Sequence, residues 1–405
     1  MKKILIVGGG ASGLAAAISA AEAGAAPVLI EAREQTGKKL LKTGSGRCNF
    51  TNAYMDPDRY YGGPGFIRSF LGRFSTEDCL RFFGGLGLLA RERDGYYYPY
   101  SNSAASVLSV LNARLRALQV PVLLNSLVTH VSVLSDGRFS VKAGEETLTG
   151  DALIVSSGSP AGADATDAPF SWFPELAALR IRPYLPALTM LYGSEGCERV
   201  WDGVRCRGSV TALGRTETGE LQLLAKGISG IPVFQVSRMA VRALQENEPV
   251  TAELDFMPDY GSEEVRRLLT EASDPDRGTG TKTLEELLRG WLPRKLIPVI
   301  LRRAGLFSDR EVSGLSGKET GSLREALKHF TYRVTGHGSF REAQTVSGGV
   351  DTAELNDDFE ARKIPGLYFT GEMVDIDGMC GGYNLHFAFG SGIIAGKAAA
   401  RELKA

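Results

Sequence analysis

Three glycines near the start of the chain, Gly8, Gly10 and Gly13, form a G-x-G-x-x-G pattern after a short apolar run and before a small-residue stretch from Ala11 to Gly24. Such spacing suits a dinucleotide pyrophosphate. Gly8 permits the tight turn, Gly10 lets the backbone approach the phosphates, Gly13 lets helix and strand pack closely, and the helix start at Ala11 and Ser12 offers free N–H groups with a partial positive charge. Glu31 ends the next apolar run, Val28 to Ile30, where a carboxylate accepts hydrogen bonds from the adenosine ribose. It would repel a ribose phosphate, so FAD or NAD fits this end better than NADP. A glycine-rich turn in a domain that binds no phosphate is the plainer alternative, and the strand, helix and acid at their expected places oppose it.

A second group lies at the other end of the chain. Leu367 to Phe369 is apolar and leads into Thr370-Gly371-Glu372, then Asp375, Asp377 and Gly378, then Gly381-Gly382-Tyr383-Asn384-Leu385 opening a helix. A carboxylate such as Glu372 or Asp375 can bind ribityl hydroxyls. A helix beginning after Gly382 can aim the N–H groups of Asn384 and Leu385 at the flavin N1 and C2 carbonyl, where reduced flavin carries negative charge. An NAD dehydrogenase has no need of this segment, which favours FAD as the tightly held cofactor. The plainer alternative is a turn before a packing helix.

Between these ends, 37–52 is a long glycine-rich, basic stretch whose length and polarity suit a loop over a bound ligand. Its candidate cofactor contacts are Lys39, Arg47 for charge, Asn49 for hydrogen bonds, and Cys48. That cysteine has no partner at C-x-x-C spacing, so it reads as a packing thiol beside the cofactor more readily than as a redox thiol. Val128, within the strand-like segment Pro121 to Leu134, completes the cofactor set. For catalysis the candidates are His386, just inside the last helix, and Tyr383. A histidine there can donate a proton near the flavin ring, or be packed and bonded to backbone. Tyr96, Tyr97 and Tyr98, with Tyr383, form either an aromatic wall for a flat substrate or part of the core. His337 is given no role.

The elements that must hold these groups alternate strand and helix. Helical patterns fall at about Thr76 to Phe83 and Ala104 to Leu118, strand-like segments at Pro121 to Leu134 and Arg138 to Ala143, and a buried-type strand at Asp151 to Val155. After Pro183 the pattern becomes that of an antiparallel barrel or sandwich. Glu263 to Glu271 and Leu284 to Arg303 then read as helices separated by a polar linker, Asp274 to Lys282, and a final helix runs from about Phe387 to Leu403. The predicted architecture is α/β. A Rossmann domain, 1–185 with 335–405, is split by a β-rich substrate domain, 186–258 with about 320–335, and by a small helical domain, 259–319.

The 405 residues exceed one ordinary core. Lys and Arg number 46 against 47 Asp and Glu, with no run long enough to track a phosphate backbone, so a nucleic acid partner is not expected. The five cysteines have neither C-x-x-C spacing nor nearby histidine pairs. This argues against a zinc site and for reduced thiols in a cytoplasmic protein. Glu22 and the early glycines interrupt the N-terminal apolar stretch, so neither a signal peptide nor a membrane anchor is expected. Partners are then limited to a small-molecule substrate, with the chain a monomer or homodimer.

Gly37-Lys38-Lys39-Leu40-Leu41, the run Thr43-Gly44-Ser45-Gly46-Arg47-Cys48-Asn49-Phe50-Thr51-Asn52, Gly227-Ile228-Ser229-Gly230, Gly348-Gly349-Val350 and Gly381-Gly382-Tyr383-Asn384-Leu385 resemble the bacterial BaiN-like NAD(P)/FAD-dependent flavoproteins. That family includes aminoacetone oxidase and 3-dehydro-bile acid reductase relatives. The resemblance implies a glutathione-reductase-like FAD-binding Rossmann domain carrying an inserted antiparallel β-domain and a small helical domain. It also implies a flavin-dependent redox reaction. Where relatives commonly have Pro-Thr before the paired glycines this chain has Met379-Cys380, and where many have Gln it has His386. The expected reaction is NAD(P)H-driven reduction of a conjugated C=C in a steroid-like ketone. No second G-x-G-x-x-G is visible for a nicotinamide domain, so the donor would use the same open face as the substrate, in turn. Alternatives are an oxygen-using oxidase of a small amine such as aminoacetone, and a flavin-bearing accessory or RNA-modification protein.

Overall fold

The computed structural model describes residue 1 and residues 3–162, 172–274 and 282–401. Residues 275–281 of the expected polar linker, and the end of the last helix beyond 401, lie outside the described residues. The chain divides into two compact units, Met1–Leu185 with Thr345–Ala405, and Pro186–Gln344.

The first unit is built on a five-stranded parallel sheet. Its strands are β1 (Lys3–Val7), β2 (Ala26–Ile30), β3 (Val122–Leu123), β4 (Ala152–Val155) and β5 (Leu367–Phe369), in the spatial order β5-β4-β1-β2-β3. β1, β4 and β5 are near-continuous apolar runs because helices and loops cover both faces of a parallel sheet, and every residue of β4 and β5 is buried. β1 pairs with β2 on one side and β4 on the other, Val7 lying opposite both Ile30 and Val155. The strand order therefore reverses at β1, and the crevice at its carboxyl end is where such sheets bind ligands.

Helix α1 (Ala11–Glu22) leaves that crevice, and helix α2 (Tyr383–Arg401) follows β5. The two helices pack side by side on small residues. A Cβ at Gly392 would lie 2.2 Å from the Ser12 carbonyl oxygen, and one at Gly396 would lie 2.4 Å from that of Ala16. Residue numbers rise together along both helices, so they run parallel.

The 37–52 stretch is more ordered than a plain covering loop. It holds 3-10 turns at Leu40–Gly46 and a short strand at Thr51–Asn52. Gly44, Ser45, Gly46 and Cys48 have φ of 55°, 56°, 82° and 58°, and this left-handed run curls the chain back on itself. Thr51–Asn52, Tyr96–Pro99 and Ala90–Arg93 form a small antiparallel sheet in that order.

The second unit holds a closed six-stranded barrel, which resolves the choice between barrel and sandwich. Its strands run Leu191–Gly193, Gly227–Ser229, Arg215–Leu224, Val204–Ala212, Val250–Asp255 and Phe330–His337, and the last pairs with the first. Two expectations change here. The single helix from Leu284 to Arg303 is two, Leu284–Arg289 and Ile297–Ala304, because Gly290 and Pro293 interrupt it and Pro298 suits the opening turn of the second. The described residues of 259–319 share the barrel's core. Val265, Leu269, Leu288 and Ile300 share one apolar cluster with the barrel residues Val210, Leu223 and Leu254.

Candidate flavin site

The glycine turn divides its labour as the spacing suggests. A Cβ at Gly8, whose φ is +102°, would sit 2.4 Å from the Ser156 carbonyl oxygen, and one at Gly13 would sit 1.9 Å from that of Gly8. These two positions are closed by backbone. Gly10 meets nothing within 4 Å, so its face is open to a ligand. The first α1 hydrogen bond is Leu14 N–H to the Gly10 carbonyl at 2.9 Å, and no side chain caps the helix. The N–H groups of Ala11, Ser12 and Gly13 are thus left without helical acceptors, as a pyrophosphate site requires.

Glu31 accepts from Gly9 N–H at 2.7 Å on one carboxylate oxygen and from Arg33 N–H at 2.9 Å on the other. Each oxygen keeps a lone pair for a ribose hydroxyl. Ser126 N–H donates to the Glu31 carbonyl at 2.9 Å, which brings Val128, buried at the start of its strand, to within two residues of this end.

The C-terminal elements meet the same region. Gly371, with φ of +60°, packs on the first turn of α1, where an added Cβ would lie 2.8 Å from Ser12 Oγ. Its N–H donates to Ser391 Oγ of α2 at 2.9 Å. Along α2 the first helical bond is His386 N–H to the Gly382 carbonyl at 2.9 Å, so the N–H groups of Tyr383, Asn384 and Leu385 are also left over. The Asn384 side chain is itself occupied, pairing with both the N–H and the carbonyl of Gly378 at 2.8 Å. Its contribution to a ligand is therefore its backbone.

Since Gly392 lies against Ser12 and Gly396 against Ala16, the start of α2 stands about eight residues ahead of the start of α1, or about 12 Å at 1.5 Å per residue. Two parallel helix N-termini set apart in this way suit a ligand with a pyrophosphate at one point and an electron-accepting ring a short polyol chain further on. The residues present fit FAD.

Several candidates have other duties. Both oxygens of Glu372 are filled by protein donors, with Lys39 Nζ at 2.8 and 2.6 Å, Thr345 Oγ1 at 2.9 Å and Ser159 Oγ at 3.0 Å. A carboxylate has about four lone-pair sites, so Glu372 fastens three segments together and is not free for ribityl hydroxyls. Lys39 is held in the same pair. Asp375 accepts from Gly348 N–H at 2.9 Å and pairs with Arg182 Nε at 3.0 Å, which leaves part of its capacity open. Arg47 is exposed, with Nε donating to the Gly44 carbonyl at 3.1 Å and its guanidinium carbon 5.7 Å from the Tyr98 ring centre. Asn49, with its amide oriented to satisfy both neighbours, donates to the Tyr97 and Thr51 carbonyls at 3.0 and 2.9 Å and accepts from Gly382 N–H at 3.2 Å. Cys48 is buried, and burial pushes its thiol up to about 12, so it stays a thiol.

Neither catalytic candidate stands. His386 is fully buried, with Nδ1 2.8 Å from Thr51 Oγ1 and Nε2 3.2 Å from the Phe74 carbonyl. A carbonyl only accepts, so Nε2 carries the proton and Nδ1 accepts from Thr51. Burial lowers the ring to about 4, so it is neutral, and its one N–H is committed to the Phe74 carbonyl. Tyr383 is buried against Tyr60, and its hydroxyl donates to the Tyr54 carbonyl at 3.2 Å. Sequence reasoning also left Asn52 without a role. Its amide donates to the Gly381 carbonyl at 2.8 Å and holds the turn before α2; the polar cluster of Asn49, Thr51 and Asn52 was the available signal.

Fold and site together define an FAD-binding oxidoreductase of the Rossmann type. The chain belongs to the HI0933-like family, whose Rossmann domain matches residues 2–398. It is 38% identical to the 3-dehydro-bile acid delta(4,6)-reductase of Clostridium scindens, over 99% of this chain and all of that protein. It is 29% identical to the ribosomal RNA dihydrouridine synthase of Escherichia coli, over 96% of this chain and 95% of that one. Among solved structures, Mycobacterium smegmatis Sdh1 in complex with UQ1 shares the fold, with a TM-score of 0.50 at 15% identity over the whole of this chain and 70% of that one.

Proposed function

We propose that the protein uses NAD(P)H to reduce a C=C bond conjugated to a carbonyl in a steroid-like ketone of the 3-dehydro-bile acid kind. The observation that carries this reading is the 38% identity to the Clostridium scindens reductase across both full lengths. FAD held by the two helix starts would supply the hydride chemistry between the nicotinamide and the substrate. The chain's own part is electrostatic. Open N–H groups at α1 would hold the pyrophosphate, Glu31 the ribose, and those of Asn384 and Leu385 would favour negative charge at the pyrimidine end of the ring.

A second reading is reduction of a uracil base in ribosomal RNA, favoured by the likeness to the Escherichia coli dihydrouridine synthase. Dihydrouridine differs from uridine by two hydrogens across a C=C conjugated to a carbonyl, so both readings ask for the same bond chemistry. The near-balance of 46 basic and 47 acidic residues weighs against a long RNA partner.

The test is anaerobic. NAD(P)H should bleach the flavin, and a 4-ene-3-ketone or 4,6-diene-3-ketone steroid should restore the oxidised spectrum within seconds. Restoration by uridine-containing ribosomal RNA and not by the ketone would replace the first reading with the second. Restoration by oxygen alone would overturn both.

A further inference from the structure

With His386 and Tyr383 occupied elsewhere, the reaction still requires a proton, and one phenol stands where it could supply it. Tyr96 and Tyr98 alternate with Tyr97 along the strand Tyr96–Pro99 and so share a face, while Tyr97 packs against the main core. Tyr98 borders the left-handed loop, its Cε1 3.9 Å from where a Cβ of Gly44 would be, with Arg47 over its ring. Tyr96 borders the start of α2, its Cε1 2.8 Å from where a Cβ of Gly381 would be. Gly381 has φ of +125°, and Asn52 pins its carbonyl. The pair thus spans from the basic loop to the open N–H groups of α2. The Tyr96 ring is half-buried, its hydroxyl has no hydrogen-bond partner among the described residues, and burial pushes it above its ordinary value, so the phenol stays protonated.

We propose that Tyr96 contacts the substrate and is the acid of the reduction. Resting on the reading of a conjugated ketone as substrate, the step balances as follows. Hydride adds to the β-carbon, the C=C electrons move onto the carbonyl oxygen, that oxygen takes the proton of the Tyr96 hydroxyl hydrogen-bonded to it, and the enol so formed tautomerises to the saturated ketone while the phenolate recovers a proton from water. Tyr96 and Tyr98 together present an aromatic face to a flat ring system.

The experiment uses FAD-loaded protein and its Tyr96→Phe and Tyr100→Phe variants. Tyr100, exposed just beyond the same strand, controls for loss of a phenol hydroxyl from this hairpin. Three readouts apply: flavin content, binding of the saturated ketone product followed by quenching of protein fluorescence, and reoxidation of the reduced flavin by the conjugated ketone. Tyr96→Phe should keep its flavin and its bleaching by NAD(P)H. It should bind the saturated ketone about tenfold more weakly, the loss of one hydrogen bond, and be reoxidised at least a hundredfold more slowly. Tyr100→Phe should match the parent. Ketone affinity and reoxidation of Tyr96→Phe within twofold of the parent would overturn the assignment. A parent protein that binds the ketone without being reoxidised by it would defeat the substrate reading alone; Tyr96 would then stand or fall on the binding comparison. No ketone binding by any form would overturn both.

Discussion

His386 shows how a residue placed by its turn of helix is decided by its side of the helix. Its position just inside α2 suggests catalysis, yet Phe389, Gly390 and Ile393 follow at i+3, i+4 and i+7, the spacing of a buried stripe. The ring accordingly points among Phe70 and Phe74, with centroid distances of 5.8 and 5.0 Å. That signal was present in the sequence; the Thr51 donor and the Phe74 carbonyl acceptor, far away in the chain, were not. The consequence is a pH dependence of stability. The unfolded ring takes a proton near 6.5 and the folded ring only near 4, so the unfolded state binds more protons between these values. Stability from this residue is complete above pH 6.5 and falls by about 3 kcal/mol as the pH drops to 4. Urea unfolding of His386→Gln, whose amide can both accept from Thr51 and donate to the Phe74 carbonyl, should lack that share of the decline and keep turnover within a few-fold. Parallel stability curves for parent and variant would contradict the neutral, packed assignment.

At the scale of elements, the turns set by adjacent residues were legible and the pairings across the chain were not. The β1–glycine turn–α1–β2 unit and the C-terminal strand and helix follow from short-range patterns. Barrel closure needs Leu191–Gly193 beside Phe330–His337, a pairing no local pattern encodes, so barrel and sandwich looked alike. Glu372 illustrates the same limit. Its place after β5 marks it as a ligand carboxylate, but Lys39, Ser159 and Thr345 converge on it only in three dimensions. The glycines separate packing from binding. Gly10→Val adds a side chain in open space, and Gly392→Val drives one into the Ser12 carbonyl. Gly10→Val should lower the apoprotein's unfolding free energy by no more than about 1 kcal/mol, the change of N-cap residue, while abolishing flavin retention. Gly392→Val should lower it by roughly 1–3 kcal/mol or more. Equal destabilisation by the two would show that Gly10 is buried against protein.

For the whole molecule, the Rossmann unit is assembled from both ends of the sequence, with Pro186–Gln344 as a separate unit between them. The discontinuity was readable because each end carries its own recognisable half of a cofactor site. The number of units was less so, because the helices of 259–319 show amphipathic periods without revealing that their apolar faces share the barrel's core. The central claim is that α1 and α2, from opposite ends of the chain, hold one ligand with an adenosine at Glu31 and a flavin ring at Asn384. The direct measurement is to denature the purified, flavin-saturated protein and to identify and count the chromophore it releases. One FAD per chain is expected; FMN, a nicotinamide dinucleotide or no chromophore at all would contradict it.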